Sequence, residues 1–386
     1  MPTKENKPTL DVKKKELTPL ERWKNAVTNL NKEIKKLDER TFRFYFFVVD
    51  TKGVPNGSLA YEYETAYQLK EFGYDVRMLY SDNEFIGVGG WLGDKYAKIP
   101  HYNIDHEGVN VAPSDFLIIP ELFTNVMYKT MKFPCKRIVL LHNYGYMLDV
   151  IQPGVTWHKY GLNDCITITD TLKERIHSLF PDMRTQVVRP CLVDDFKDDG
   201  EVKKLFVNIV TKNSRDTNKI VKEFFWKYPA YQWLPIRDLK NLPREDFATA
   251  LKEAFLTVWV DEETDFGYSA LEAMKAGSIV IGKIPTDRPD WCKELGDDVI
   301  WFDDMNDVHE IITKVADAYM EDKMPDVLYK AMKQTVAEYT PENFKQSVID
   351  VYIHHFVDER KTDFTNALKI AKQKVENLEK EKKEEK

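Results

Sequence analysis

The chain has 386 residues, of which 43% are hydrophobic, and carries a formal net charge of −8. This length exceeds one comfortable hydrophobic core and favours two domains, and the acidic balance disfavours a nucleic-acid-binding protein. The four cysteines are scattered without a Cys-x-x-Cys pair, which argues against a zinc site and a disulfide framework. The Lys-rich N-terminus lacks a signal-peptide core, and no apolar run approaches the ~20 residues that cross a bilayer. We therefore expect a cytoplasmic protein, with peripheral membrane contact left open.

Residues 1–40 are predicted to form a charged N-terminal arm, helical from Thr18 to Arg40. Apolar side chains recur in this helix at steps of three and four residues, which is typical of an amphipathic helix. They are Trp23, Val27, Leu30, Ile34 and Leu37. Such a stripe packs the arm either onto the main body of the protein or onto a protein partner.

Residues 41–195 and 196–340 each alternate short apolar strands with helices. The first region has strand-like runs at FRFYFFVVD, YDVRMLY, DFLIIPE, RIVLLHN and CITIT, with a helix at SLAYEYETAYQLKEFG. The second has KKLFVNIVT, AYQWLPI, LTVWVD, GSIVIG and DVIWF. This alternation predicts an α/β protein with two doubly wound, Rossmann-like parallel sheets. Residues 361–386 are rich in Lys and Glu and are predicted to form a solvated, partly helical tail.

The most informative stretch runs from Val258 to Gly282 and reads VWVDEETDFGYSALEAMKAGSIVIG. It predicts a buried strand, an acidic loop, a Phe-Gly turn, a helix carrying one glutamate, and a second strand. A loop and helix start of this kind lie at the carboxyl end of a parallel sheet, where such folds bind ligands. The N–H groups at the helix start suit a phosphate or a sugar hydroxyl.

This stretch resembles the nucleotide-sugar signature of the retaining GT-B glycosyltransferases, of the group 1 or family-four type, in which E-G-F-G leads into L-E-A-M-A-x-G-x-P-V-I. The matching residues are Phe266, Gly267, Leu271, Glu272, Ala273, Met274, Ala276, Gly277, Val280 and Ile281. The resemblance covers about residues 42–357. It implies an acceptor domain at 41–195, a nucleotide-sugar domain at 196–340, and a helix at 341–360 that crosses back to the first domain.

The resemblance also implies roles for residues of the nucleotide-sugar domain. Glu272 would accept the two ribose hydroxyls, since a carboxylate offers two acceptor oxygens to a vicinal diol. Phe266 and Gly267 would lend backbone N–H groups to the donor sugar, with Tyr268 beside them. In the loop TKNSRDTNK, Arg215 and the weaker candidate Lys219 would neutralise the diphosphate, with Lys212 close by.

One residue departs from the family pattern. The family places a second glutamate eight positions before Glu272, and this chain has Thr264 there, between Glu263 and Asp265. In one interpretation the loop slips by one residue and Glu263 serves the donor sugar. In the other, the donor contact is lost, with altered preference or no activity.

The first domain supplies the remaining candidates. His142, after strand RIVLL, holds the position of a donor-contacting histidine in the family, and Gly57 lies where the family's first loop meets the diphosphate or acceptor. Glu121 follows strand FLIIP and is expected to face the same cleft. Adjacent acidic pairs such as Asp303–Asp304 are better explained by helix capping than by a metal, so no metal ligands are assigned.

The sequence thus predicts a retaining, metal-independent glycosyltransferase that needs no cofactor. Its donor would be a nucleotide sugar such as a UDP- or GDP-sugar, and its acceptor a saccharide or a lipid-linked or other molecule, as in polysaccharide biosynthesis. A GT-B nucleotide-sugar epimerase is one alternative among enzymes, and two further alternatives stay open. One is a non-catalytic GT-B protein that serves binding or assembly, which the Thr264 departure keeps in view. The other is a glucosyltransferase acting on DNA bases, which the acidic composition disfavours.

Overall fold

The computed structural model describes residues 17–38 and 43–384, and these divide into two units. The larger unit lies within residues 41–356 and holds two parallel sheets, one in each predicted Rossmann-like region. The smaller unit combines the N-terminal arm with the chain from Val357 onward.

The first sheet has seven parallel strands in the order β3-β2-β1-β4-β5-β6-β7. The strands are β1 (Arg43–Phe47), β2 (Asp75–Tyr80), β3 (His101–Asn103), β4 (Phe116–Pro120), β5 (Lys136–Leu141), β6 (Asp164–Thr167) and β7 (Arg184–Val187). The intervening helices are α2 (Gly57–Glu71), α3 (Asp94–Ala97), α4 (Thr124–Lys129), α5 (Tyr144–Val150) and α6 (Asp170–Leu179). Every residue of β4 is buried, as expected for a strand covered by helices on both faces.

The second sheet has five parallel strands in the order β12-β11-β10-β8-β9. They are β8 (Lys204–Thr211), β9 (Ile236–Asp238), β10 (Ala254–Val260), β11 (Ile279–Lys283) and β12 (Ile300–Phe302). The helices are α7 (Ser214–Lys227), α8 (Arg244–Glu253), α9 (Tyr268–Lys275), α10 (Val308–Met320) and α11 (Asp326–Val336). The expected strand at AYQWLPI begins only at Ile236, because Pro229–Tyr231 form a 3-10 turn whose Tyr231 stacks on Trp233.

Beyond the second sheet the chain returns to the first. Helix α12 (Pro341–Val348) continues into a π-helical segment, Ile349–Val357. Phe344 on α12 contacts Tyr61 on α2 with 5.9 Å between ring centroids, and Tyr352 meets Phe44 on β1 at 5.8 Å. These aromatic contacts fasten residues 341–356 to the first sheet.

The smaller unit is a pair of helices, α1 (Pro19–Asp38) and α13 (Asp358–Glu384), packed against each other. Thr18 and Glu21 form a capping box at the start of α1, with the Thr18 N–H donating to Glu21 at 2.8 Å. Lys24 pairs with Glu379 at 2.7 Å. The segment expected to be a charged tail is therefore a long helix that packs on the amphipathic arm.

Candidate functional site

A cavity of about 310 Å³ lies between the two sheets, at the carboxyl ends of their strands. Strand order reverses between β1 and β4 in the first sheet and between β8 and β10 in the second. Such reversals splay the loops apart and open a crevice where α/β folds bind ligands. The loops after β1, β5, β8, β9 and β10 all contribute to the lining.

The cavity brings together seven of the eleven site residues predicted from the sequence. They are Gly57, His142, Lys212, Thr264, Phe266, Tyr268 and Glu272. The cavity lining does not include the other four. Those are Arg215, Lys219, Glu263 and Gly267.

The turn between β10 and α9 has a defined backbone geometry. Gly267 adopts a φ of +74°, in the left-handed region that favours glycine. A Cβ atom at this position would also lie 3.2 Å from the indoles of Trp259 and Trp291. The Gly267 N–H donates to Thr264 Oγ1 at 2.9 Å. This N–H group is therefore used within the turn, and its role toward a donor sugar stays a prediction.

Thr264 thus closes the turn, and its two acidic neighbours point to different places. Glu263 is exposed. Asp265 is buried, lines the cavity, and accepts a hydrogen bond at 2.8 Å from the N–H of Tyr144 at the start of α5. Burial raises the pKa of Asp265 to about 6, against the opposing effect of the Tyr144 N–H group. The structure therefore brings Asp265, not Glu263, to the cavity.

Glu272 lies on the second turn of α9 and borders the cavity. Burial raises its pKa to about 7, while the positive charge of Arg244 lowers it. Arg244, the first residue of α8, also lines the cavity, and pairs with Glu64 of α2 at 2.9 Å. Its backbone N–H donates to the Trp91 carbonyl at 2.9 Å, so α8 is fastened to the first domain.

Sequence reasoning missed Arg244. One signal for it was present in the sequence. An arginine in the first turn of a helix is unfavourable, because its positive charge opposes the helix dipole. A position that violates a local preference in this way often serves a tertiary contact.

The basic residues after β8 are arranged differently from the expectation. Lys212 lines the cavity and pairs with Asp261 at 3.0 Å. Arg215 is exposed in the first turn of α7, and Lys219 lies one turn further along that helix. Among the described residues, the lysine and arginine side chains that border the cavity are therefore Lys212 and Arg244.

His142 comes from the first domain, directly after β5, and is buried between two glutamates. Its Nδ1 lies 3.3 Å from Glu121 Oε2 and its Nε2 lies 3.9 Å from Glu62 Oε1. Burial raises the pKa of Glu62 well above its usual range, and the negative charge of Glu121 adds to the effect. Glu121 also accepts the N–H groups of His142 and Asn143 at 3.2 and 3.0 Å. Glu121 therefore holds the backbone of the loop after β5. It does not face the cleft, although the sequence predicted that it would.

Gly57 begins α2, and Asn56 caps that helix by accepting the Leu59 N–H at 2.9 Å. A Cβ atom at residue 57 would lie 2.9 Å from the ring of Tyr268. Glycine is thus required by close contact between the first loop of one domain and the start of α9 in the other.

Three solved structures share this architecture. Sucrose-phosphate synthase of Thermosynechococcus elongatus superposes with a TM-score of 0.57 at 12% identity, over 82% of this chain and 100% of that chain. A glycosyltransferase of Rickettsia africae gives 0.58 at 12% identity, over 81% and 97%. HepE of Anabaena, solved in complex with UDP and glucose, gives 0.59 at 10% identity, over 81% and 99%. The chain has the GT-B fold.

The fold predicted from the Val258–Gly282 signature is therefore confirmed. No protein-family model matches the chain, and no curated protein matches it. Identities of 10 to 12% establish the fold alone, so the activity must be argued from the site.

Two further observations concern only the described residues. No helix within 17–38 and 43–384 is long and apolar enough to cross a membrane. In the same part of the chain, no three His, Cys, Asp or Glu side chains are grouped as a metal site would need. Metal independence stays a prediction.

Proposed function

We propose that the protein is a glycosyltransferase that moves a sugar from a nucleotide sugar to an acceptor, without a metal and with retention of configuration. The observation that supports this most is the convergence of Glu272, Lys212 and Arg244 on one cavity at both strand-order reversals. A carboxylate suits a ribose diol, and two cations suit a diphosphate.

Each group has a place in the proposed reaction. Glu272 accepts the ribose hydroxyls, and Lys212 and Arg244 stabilise the charge that develops on the leaving diphosphate. Both cations are already paired, Lys212 with Asp261 and Arg244 with Glu64. Donor binding then exchanges a carboxylate partner for a phosphate oxygen, so Arg244, which is largely buried, is not left unpaired before the donor arrives.

Retention is proposed on chemical grounds. The acceptor oxygen bonds to the anomeric carbon on the face from which the diphosphate departs, and the leaving phosphate oxygen takes the acceptor proton. No protein nucleophile is needed in this step. Asp265, which borders the cavity, is proposed to take the place that the family gives to the glutamate replaced here by Thr264.

The experiment that tests the proposal measures the release of nucleoside diphosphate from a panel of UDP-, GDP- and ADP-sugars, with and without EDTA. We expect release from at least one donor, unchanged by EDTA, and product of the donor's anomeric configuration by NMR. Glu272→Gln should depress release, whereas Glu263→Gln, an exposed carboxylate of the same motif, serves as the matched control. Nucleotide binding without release under any condition would favour the non-catalytic alternative. The absence of both would refute the proposal.

A further inference from the structure

A short 3-10 helix between β11 and β12, Asp290–Cys292, contacts both domains with adjacent side chains. Asp290 reaches the first domain, and Trp291 reaches the turn between β10 and α9. Neither residue lines the cavity.

Trp291 holds one side of the peptide unit that joins Phe266 to Gly267. Its indole Nε1–H donates to the Phe266 carbonyl at 2.7 Å. The N–H of the same peptide donates to Thr264 Oγ1 at 2.9 Å. Because a peptide unit is planar, two hydrogen bonds at its opposite ends fix the orientation of the whole plane. The Trp291 ring also lies where a Cβ on residue 267 would be only 3.2 Å away.

Asp290 holds the start of α6 in the other domain. Its carboxylate accepts the N–H of Asp170 at 2.8 Å, the N–H of Thr171 at 3.1 Å and the Thr171 hydroxyl at 2.5 Å. A carboxylate at a helix start satisfies free N–H groups and complements the positive end of the helix dipole. The contact is therefore a charge-assisted cap supplied by one domain to a helix of the other.

We propose that Trp291 is a positioning residue for the Phe266–Gly267 turn, and that the contact of Asp290 with the first domain fixes where Trp291 lies. The two side chains are carried by one tight turn of backbone, so fixing Asp290 against α6 also fixes the position of Trp291. Contact between the two domains therefore orders the Phe266–Gly267 turn. Its consequence for donor-sugar binding acts through Asp265, which precedes the turn and lines the cavity, and rests on the proposed function, whereas the coupling itself does not.

The coupling is tested on the ligand-free protein by hydrogen exchange measured with mass spectrometry. Trp291→Phe should speed exchange around Phe266–Tyr268 on the order of fivefold, as expected for one lost hydrogen bond, and leave the start of α6 unchanged. Asp290→Asn should speed exchange at both places. In the double variant, exchange at the turn should equal that of Trp291→Phe alone, because both changes act through the same indole.

Two controls separate this coupling from general loosening. Trp301 stacks on Trp291 with ring centroids 6.1 Å apart. Its Nε1 has no hydrogen-bond partner among the described residues, so Trp301→Phe should leave the turn unchanged. Asp287 lies in the same loop and pairs with Arg175 of α6 at 2.5 Å. Asp287→Asn removes a domain contact without touching the cap, and should not speed exchange at the turn. Acceleration confined to α6 in Asp290→Asn, or additive effects in the double variant, would overturn the coupling.

A second experiment tests the effect on ligand binding. It compares the binding of UDP-glucose with that of UDP, and of GDP-mannose with that of GDP, by calorimetry, and measures steady-state turnover of the two sugar nucleotides. We expect Trp291→Phe to raise KM for the sugar nucleotide by on the order of fivefold while the Kd of the bare diphosphate stays within about twofold. Equal weakening of both ligands would refute a role specific to the turn. If the wild type binds none of the four nucleotides, the proposed donor fails, and the exchange measurements still decide the coupling.

Discussion

Replacing Glu272 by Gln tests the site through stability and binding together. Burial raises the pKa of this carboxyl from its ordinary value of 4.5 to about 7. Each pKa unit corresponds to about 1.36 kcal/mol, so ionised Glu272 destabilises the folded protein by up to about 3 kcal/mol. This is an upper value, because the side chain borders an open cavity.

The direction in which stability changes with pH follows from the pH at which the folded and unfolded states each release the Glu272 proton. The unfolded chain loses it near pH 4.5, and the folded chain keeps it until about pH 7. Between these values the folded state binds more protons, so the free energy of unfolding falls as the pH rises, and it stays lowered above pH 7. Glutamine carries no charge in either state, so Glu272→Gln removes this decrease in the free energy of unfolding.

The assay is thermal unfolding of both proteins at pH 5 and pH 8. At pH 5 the two midpoints should nearly agree, whereas at pH 8 Glu272→Gln should unfold a few degrees higher. In the same buffer at pH 8, the variant should bind the nucleoside diphosphate more weakly by ~1–3 kcal/mol, because an amide offers one acceptor oxygen fewer to the ribose diol. An equal midpoint difference at both pH values would refute the burial argument. Equal nucleotide affinity would remove Glu272 from the site.

Five other substitutions, grouped into three tests, have expected outcomes. Asp265→Asn should lower sugar release by tenfold or more, about 1.4 kcal/mol, whereas Glu263→Ala should change it less than twofold; a larger loss in Glu263→Ala would restore the slipped-loop interpretation. Lys212→Ala should weaken diphosphate binding by ~1.5–3 kcal/mol in calorimetry, and Arg215→Ala should not; the reverse order would mean that α7 turns toward the ligand. Thr264→Val keeps the side-chain shape but removes the acceptor within the turn, and should lower the free energy of unfolding by about 1 kcal/mol; no change in denaturant unfolding would contradict the role of that hydroxyl.

Much of the fold could be predicted because its signals are local. A buried strand such as β10 reads as an unbroken apolar run, and the Phe266–Gly267 turn is marked by the residue that its left-handed backbone requires. The segment AYQWLPI misled the same reasoning. Its aromatic residues look like a strand, but Tyr231 and Trp233 stack on each other outside the sheet.

The candidate site was predictable in part, since several of its contacts join distant parts of the chain. Glu272 and His142 stand out by motif, whereas Arg244 gains its meaning only beside Glu64, which belongs to the other domain. The location of Asp265 likewise depends on Tyr144. Contacts between domains leave no periodicity in the sequence, so the resemblance to the family pattern favoured Glu263 and Arg215.

The pairing of α1 with α13 has a consequence for how the protein is made. Lys24 and Glu379 are bonded partners, yet more than three hundred residues separate them along the chain. A ribosome adding roughly 5–20 residues per second would need tens of seconds to deliver the second helix after the first. During that interval the apolar stripe of α1 lacks the helix against which it packs in the folded protein. Contacts of such long sequence separation also form slowly after release, so the helix pair should be among the last parts of the nascent protein to mature.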